Sequence, residues 1–194
     1  MEDDAGFVIT GNCAAEVPFH FIAAVPARTA TRAPAADLGH LIHLSFSQAL
    51  HEKALTELDA FYPRIVVRTD AVYERRLCLL VHEYLRRPAA RLPGVPCSPF
   101  LEAGTDFQKT VWQLIAAIPY GRTRTYGDLA RMLGSPSSAR AVGRACQANP
   151  LALIIPCHRV VGAAGIGGFA GGVSLKGRLL ELESKTSGLL ETEG

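Results

Sequence analysis

The spacing of apolar positions divides the chain into a strand-rich beginning and a helix-rich remainder. Short apolar runs at residues 7–11 (FVITG), 19–25 (FHFIAAV) and 40–46 (HLIHLSF) read as strands, and 64–68 (RIVVR) as a further short one. Residues 47–61 (SQALHEKALTELDAF) and 70–87 (DAVYERRLCLLVHEYLRR) carry apolar side chains at helical spacing, which predicts amphipathic helices. Residues 26–37 (PARTATRAPAAD) follow neither period and read as an irregular connection. This mixture predicts an α/β domain over residues 1–88, followed by a proline- and glycine-rich linker over 89–104.

From Thr105 the pattern becomes more regular. Residues 105–118 predict a helix capped by Thr105 or Asp106, burying Phe107, Val111, Leu114, Ile115 and Ile118 with Trp112 beside them. After the turn PYGRTRT, residues 125–134 predict a short helix with Leu129, Ala130 and Leu133 inward and Gly134 as its stop. SPSSARAVGRACQAN then starts a second short helix after a serine and proline. Two short helices joined by a tight glycine-containing turn are a helix-turn-helix pattern, which many helical hairpins that bind nothing also show. A last helix is expected around LKGRLLELE, giving a mainly helical domain over 105–184 and a C-terminal tail over 185–194.

Composition changes this picture little. Of the 194 residues 48% are hydrophobic and 20% charged, and the formal net charge is +2, which by itself indicates no partner. Local charge is more telling: residues 122–159 hold six arginines, one acid (Asp128) and no lysine, which suits a phosphate backbone as well as it suits a solvated basic face. No apolar run has the ~20 residues of a membrane span. The start MEDDAG lacks the basic and apolar regions of a signal peptide, so an intracellular, reducing compartment is expected.

The five cysteines, at 13, 78, 97, 146 and 157, make no C-x-x-C pair and no even-numbered framework. Cys78 reads as a small buried hydrophobe. Cys157, in IIPCHRVV, has no second cysteine within zinc-ligand spacing, so neither a metal nor a thioredoxin-like site is expected. Two readings stay open, a buried structural thiol and a nucleophile. A nucleophile needs a base and an orienting carboxylate. His158 is adjacent, and Glu183, three residues after Leu180 and four after Leu179, shares the inward face of the last helix. His158 could equally hydrogen-bond the backbone.

PCHRVV, preceded by TYGDLA and RAVGRACQANP and followed by GG-x-x-x-K-x-x-LLELE, resembles the O6-alkylguanine-DNA alkyltransferases, the methylated-DNA–protein-cysteine methyltransferases, over about Thr105 to Glu183. The resemblance implies a ribonuclease-H-like α/β N-terminal domain and a mainly helical, winged-helix-like domain containing the helix-turn-helix. It implies stoichiometric, irreversible transfer of methyl or other alkyl groups from O6 of guanine, with O4 of thymine as a further substrate, to Cys157. His158, polarised by Glu183, takes the thiol proton through a water, and Asn149 holds the turn to the active-site segment. The double-stranded DNA is bound through its minor groove, and the alkylated base is flipped out. Arg140 fills its place, Tyr126 turns the nucleotide's phosphate and contacts the base, and Ala141, Gly143 and Arg144 complete the DNA-binding helix. The Val160 and Cys157 carbonyls accept from the guanine amine, Phe169 is an aromatic wall, and the Ala170 N–H reaches O6. Arg159 and Lys176 are structural supports. No cofactor, metal or obligate protein partner is implied; a monomer is expected, cytoplasmic or, in a eukaryote, nuclear.

The loop VVGAAGIGGFAGG departs from the family's tyrosine and serine, and its glycines predict mobility. This departure raises the alternative of a protein that flips the damaged base without efficient transfer. Cys157 argues against the branch that carries tryptophan there, and the absence of a four-cysteine cluster in residues 1–100 against a joined zinc module.

Overall fold

The computed structural model describes residues 7–13, 18–25, 40–61, 66–86 and 98–191. The connection at 26–37 and Cys97 lie outside the described residues. The chain divides into two compact units, residues 1–82 with 91–103, and residues 83–90 with 104–194.

The first unit is a mixed α/β layer structure. Strands β1 (Phe7–Cys13), β2 (Phe19–Val25), β3 (His40–Ser45) and β4 (Val66–Arg68) form one sheet in the order β3-β2-β1-β4. β1 to β3 are antiparallel neighbours, and β4 runs parallel to β1. β2 reads as a near-continuous apolar run because both of its faces are covered. Ile22 packs with Ala54 and Leu58 of helix α1 (Gln48–Phe61), while Phe21 meets Tyr73 of helix α2 (Ala71–Arg86). The described part of the segment expected as a linker holds a short helix, α3 (Pro99–Glu102), whose Phe100 packs on the Ile22 cluster. Local composition could not show that contact, since its partners lie up to eighty residues away.

Cys78 is not the solitary core hydrophobe expected. It is half-buried and paired in a disulfide with Cys13, with the two Cα atoms 5.8 Å apart. β1 ends opposite the middle of α2, and 65 residues separate the two thiols, so spacing alone could not reveal the pair.

On the α1 face of the sheet three imidazoles gather. His51 stacks on His20 and lies beside His43, which also meets the edge of Phe100. Thr10 reaches Nε2 of His51, whereas both ring nitrogens of His43 are buried without a hydrogen-bond partner among the described residues. Burial first, and then the neighbouring imidazoles, push His43 down to about 3; burial and His20 push His51 down to about 4 against the opposing charge of Glu52. The unfolded chain therefore takes up these protons near pH 6.5 and the folded chain does not. Stability is full above the unfolded value and is lost as pH falls toward the folded values, by about 1.4 kcal/mol per pH unit for each histidine. His43→Leu is expected to remove one proton's share from the slope of unfolding free energy between about pH 6 and pH 4. A slope equal to that of the native chain in denaturant titrations would contradict this.

The second unit is mainly helical. Helix α4 (Asp106–Ala116) starts at a capping box: the Thr105 side chain accepts from the Gln108 N–H, and the Gln108 side chain accepts from the Thr105 N–H at 2.9 Å. Val111, Trp112, Ile115 and Ile118 are buried and Leu114 partly so. Phe107, expected inside, lies in the first turn of the helix and is 38% exposed. Helix α5 (Tyr126–Met132), a 3₁₀ turn (Pro136–Ser138) and helix α6 (Ala139–Gln147) form the helix-turn-helix. Gly134 takes the left-handed backbone (φ 69°) that ends α5. The indole N–H of Trp112 donates to the Ala145 carbonyl at 2.9 Å, fastening α6 to α4. Two two-residue strands, β5 (Arg124–Thr125) and β6 (Val160–Val161), pair in parallel. Helix α7 (Val173–Glu191) closes the unit and continues through most of the segment expected as a tail. Among the described residues no helix is long and apolar enough to cross a membrane.

Candidate active site

A cavity of about 510 Å³ opens in the second unit between α5, α6, the Cys157 turn and the glycine loop. Tyr126 sits at the first position of α5 because Thr125 and Asp128 cap that helix reciprocally, the Thr125 N–H donating to Asp128 at 2.8 Å and the Asp128 N–H to Thr125 Oγ1 at 3.0 Å. The T-x-x-D of TYGD carried that signal in the sequence. Thr125's two hydrogen bonds hold the Asp128 carboxyl below its usual range, and Asp128 also pairs with Arg131. The one acid of the basic stretch is thereby engaged within its own helix.

Helix α6 turns one stripe, Arg140, Gly143, Arg144 and Cys146, toward the cavity and buries Val142 and Ala145 on the other side. Ala141 lies half-buried and outside the cavity lining. Phe169 and Ala170 line the opposite wall. Gly167 has φ 73°, and a Cβ there would stand 3.0 Å from the Tyr126 ring and 3.2 Å from the Gly162 nitrogen, so the loop reaches this ring only with glycine.

The glycine loop, expected to be mobile, is tied at several points. Tyr126 Oη donates to the Gly168 carbonyl at 3.3 Å, and Lys176 Nζ donates to the carbonyls of Gly168 at 3.1 Å and Val160 at 2.5 Å. Lys176 is fully buried and also lies 5.7 Å from the centre of the Tyr126 ring. Val160 does not line the cavity, and its carbonyl already serves Lys176 with one of its two lone pairs.

Cys157 begins a 3₁₀ turn that contains His158 and Arg159, and it is the one residue of the three that meets the cavity. The chain arrives there through a tight turn in which Leu153, buried, has a left-handed backbone (φ 69°). That conformation is costly for a branched side chain and persists because its surroundings hold it. Asn149 does much of the holding: it donates to the Ile155 carbonyl at 2.7 Å and accepts from the Leu151 N–H at 3.0 Å.

Behind the thiol lies a buried charged network. His158 Nε2 meets Glu183 Oε1 at 2.7 Å, and Arg159 Nε lies 2.9 Å from Glu183 Oε2. Arg159 also donates to the Ile118 carbonyl at 2.7 Å and to the Tyr84 hydroxyl at 3.1 Å, and the Gly121 N–H donates to Glu183 at 3.1 Å. Neither Tyr84 nor Gly121 was recognisable in the sequence, being 75 and 62 residues from its partner. Burial pushes the Glu183 carboxyl up, but the hydrogen bonds and charges of His158 and Arg159 outweigh it and hold the group anionic. Burial lowers His158, aided by Arg159 and Lys176 and opposed by Glu183, so the ring rests neutral. With Nε2–H donated to the carboxylate, Nδ1 is the basic nitrogen, and it is buried with no partner among the described residues.

Two thiols share the cavity, and only Cys157 is followed directly in the chain by the imidazole that Glu183 holds. Burial first, then the nearby Cys157, push Cys146 up to about 12. Burial raises Cys157 as well; the Lys176 charge and backbone N–H groups oppose the rise at both thiols, and Asn149 opposes it at Cys157. No role was expected for Cys146 from the sequence; its position three residues after Gly143 on the same helix was the signal for its location at the cavity. Among the described residues no group of three or more histidines, cysteines or acids could hold a metal.

An α/β unit is followed along the chain by a helix-turn-helix unit with a histidine-backed thiol in a cavity, and within that second unit residues 106–185 match the family profile described as 6-O-methylguanine DNA methyltransferase, DNA binding domain. The methylated-DNA–protein-cysteine methyltransferase of Mycobacterium tuberculosis is 56% identical over 81 residues, which are 41% of this chain and 49% of that protein. The chain spans about half the length of the curated relatives it matches. The crystal structure of the Mycobacterium tuberculosis O6-methylguanine methyltransferase is similar over 93% of this chain and 94% of that one, with 29% identity and a TM-score of 0.66. The structure of the same organism's OGT in complex with DNA gives 29% identity, the same coverage and a TM-score of 0.63. Over residues 106–185 the chain belongs to the 6-O-methylguanine DNA methyltransferase DNA-binding-domain family.

Proposed function

We propose that this protein repairs double-stranded DNA by moving a methyl or other alkyl group from O6 of guanine, and from O4 of thymine, directly onto Cys157. The observation that carries the reading is a cavity-facing thiol beside a neutral imidazole whose Nε2 is fixed by a carboxylate, which leaves Nδ1 to accept a proton.

The thiol proton passes through a water to Nδ1 of His158, and Glu183 stabilises the imidazolium that forms. The Cys157 sulfur then attacks the alkyl carbon in line, forming the C–S bond as the C–O6 bond breaks with its electron pair remaining on guanine. Tyr126, pushed up to about 12 chiefly by burial, keeps its hydroxyl proton and is the donor available to the departing base. In balance the thiol proton ends on guanine and the alkyl group on sulfur. A thioether offers no easy hydrolysis, so each molecule acts once. No cofactor and no protein partner enters these steps, and the protein acts as a monomer in the compartment that holds the DNA.

The helix-turn-helix presents α6 to the duplex, with Gly143 and Ala141 permitting close approach and Arg140 filling the gap left by the flipped base. Phe169 and the Ala170 N–H receive that base, while Lys176 and Arg159 keep the surrounding segments in place. Titrating the protein with duplex containing O6-methylguanine is expected to stop at one alkyl group removed per protein molecule. Continued turnover, or tight binding with no removal, would contradict the proposal.

A further inference from the structure

Helix α6 carries two arginines one turn apart, Arg140 and Arg144, and both line the cavity that holds Cys157. Both are exposed, and neither has a hydrogen-bond or ion-pair partner among the described residues. None of the described residues lining the cavity is acidic. One of the two cations has work in the proposed function, since Arg140 enters the duplex. Arg144 then remains at the wall of the cavity with no counter-charge, its guanidinium offering the planar fork that matches a two-oxygen anion. Beside it on the wall Gly143 and Cys146 are small and Gln147 is uncharged, so none of these neighbours offers it a competing anion.

We propose that Arg144 is a substrate-binding residue that pairs with an oxyanion of the flipped nucleotide, either a phosphate flanking that nucleotide or a carboxylate at the end of its O6-alkyl group. This rests on the alkyl-transfer reading. A carboxylate-bearing alkyl group fits because the cavity, at about 510 Å³, is large, and because its walls offer such a group a cation and no competing anion. A phosphate fits because extrusion brings the backbone of the flipped nucleotide to the cavity mouth.

Single-turnover transfer from duplexes containing O6-methylguanine or O6-carboxymethylguanine, at low and moderate salt, distinguishes the sources for the native protein, Arg144→Gln and Arg144→Lys. Arg144→Gln is expected to lose roughly tenfold or more in rate on at least one duplex, with Arg144→Lys between it and the native protein. Loss on both duplexes together with a salt dependence reduced by about one charge assigns the phosphate. Loss confined to the carboxymethyl duplex assigns the carboxylate. Rates for Arg144→Gln within about twofold of native on both duplexes would overturn the proposal, since a charge-assisted pair is worth more than that. Native protein that transfers from neither duplex would refute the alkyl-transfer reading itself, and this inference with it.

Discussion

Replacing Glu183 by glutamine is expected to slow alkyl transfer roughly 10²–10⁴-fold and to destabilise the second unit by about 3–5 kcal/mol. The two effects have separate origins. For the rate, an amide keeps the shape of the carboxylate but loses the charge that stabilises protonated His158, and its NH₂ can present a donor where Nε2–H requires an acceptor. For stability, Arg159 is 4% exposed, and with Glu183 neutralised its guanidinium keeps the Ile118 carbonyl, the Tyr84 hydroxyl, the Tyr120 ring and an amide oxygen, but loses the anion that balanced its charge. A buried cation without its anion is among the few defects that cost this much. Single-turnover rates below the variant's melting range, set beside denaturant titrations, measure the two terms independently. A rate within about threefold of native would remove Glu183 from the proton path.

Arg140→Ala is expected to leave stability unchanged, because the side chain is exposed and unpaired among the described residues, and to lower transfer from duplex DNA by roughly 30- to 300-fold. That range corresponds to the few kcal/mol needed to unstack a base, which the inserted guanidinium offsets only while a duplex surrounds it. Free O6-alkylguanine needs no unstacking, and its reaction should change by less than about threefold. Measuring both substrates side by side checks this. Equal losses on the two would mean that Arg140 acts on the base in the cavity and not on the helix it leaves.

Much of the second unit was legible because its signals are local. Thr105 and its partner Gln108 lie within one turn, Val111 and Ile115 repeat at helical spacing, and Gly134 marks a stop that only a left-handed residue supplies comfortably. Glu183 could be placed toward His158 because both neighbours that orient it, Leu179 and Leu180, are on the same short stretch of α7. What escaped depends on contacts distant in sequence. Cys13 meets Cys78 only once β1 and α2 are packed, and Tyr84 meets Arg159 only in the folded unit. Phe107 obeys the period of its helix and is still exposed, since periodicity gives a direction and not what stands there. The cavity was out of reach of spacing alone: the stripe Arg140, Gly143, Arg144 and Cys146 could be drawn on a helical wheel, but the facing wall at Phe169 and Ala170 was expected only from the family resemblance.

The central claim is that one of two thiols in a shared cavity is the alkyl acceptor. Mass spectrometry of peptides from protein mixed with duplex containing O6-methylguanine tests it most directly. The account predicts a gain of one methylene, about 14 Da, on the Cys157 peptide, none on the Cys146 peptide, and no gain anywhere in Cys157→Ala. Protein that binds the duplex with every cysteine peptide unshifted, or that carries the added mass on Cys146, would contradict it.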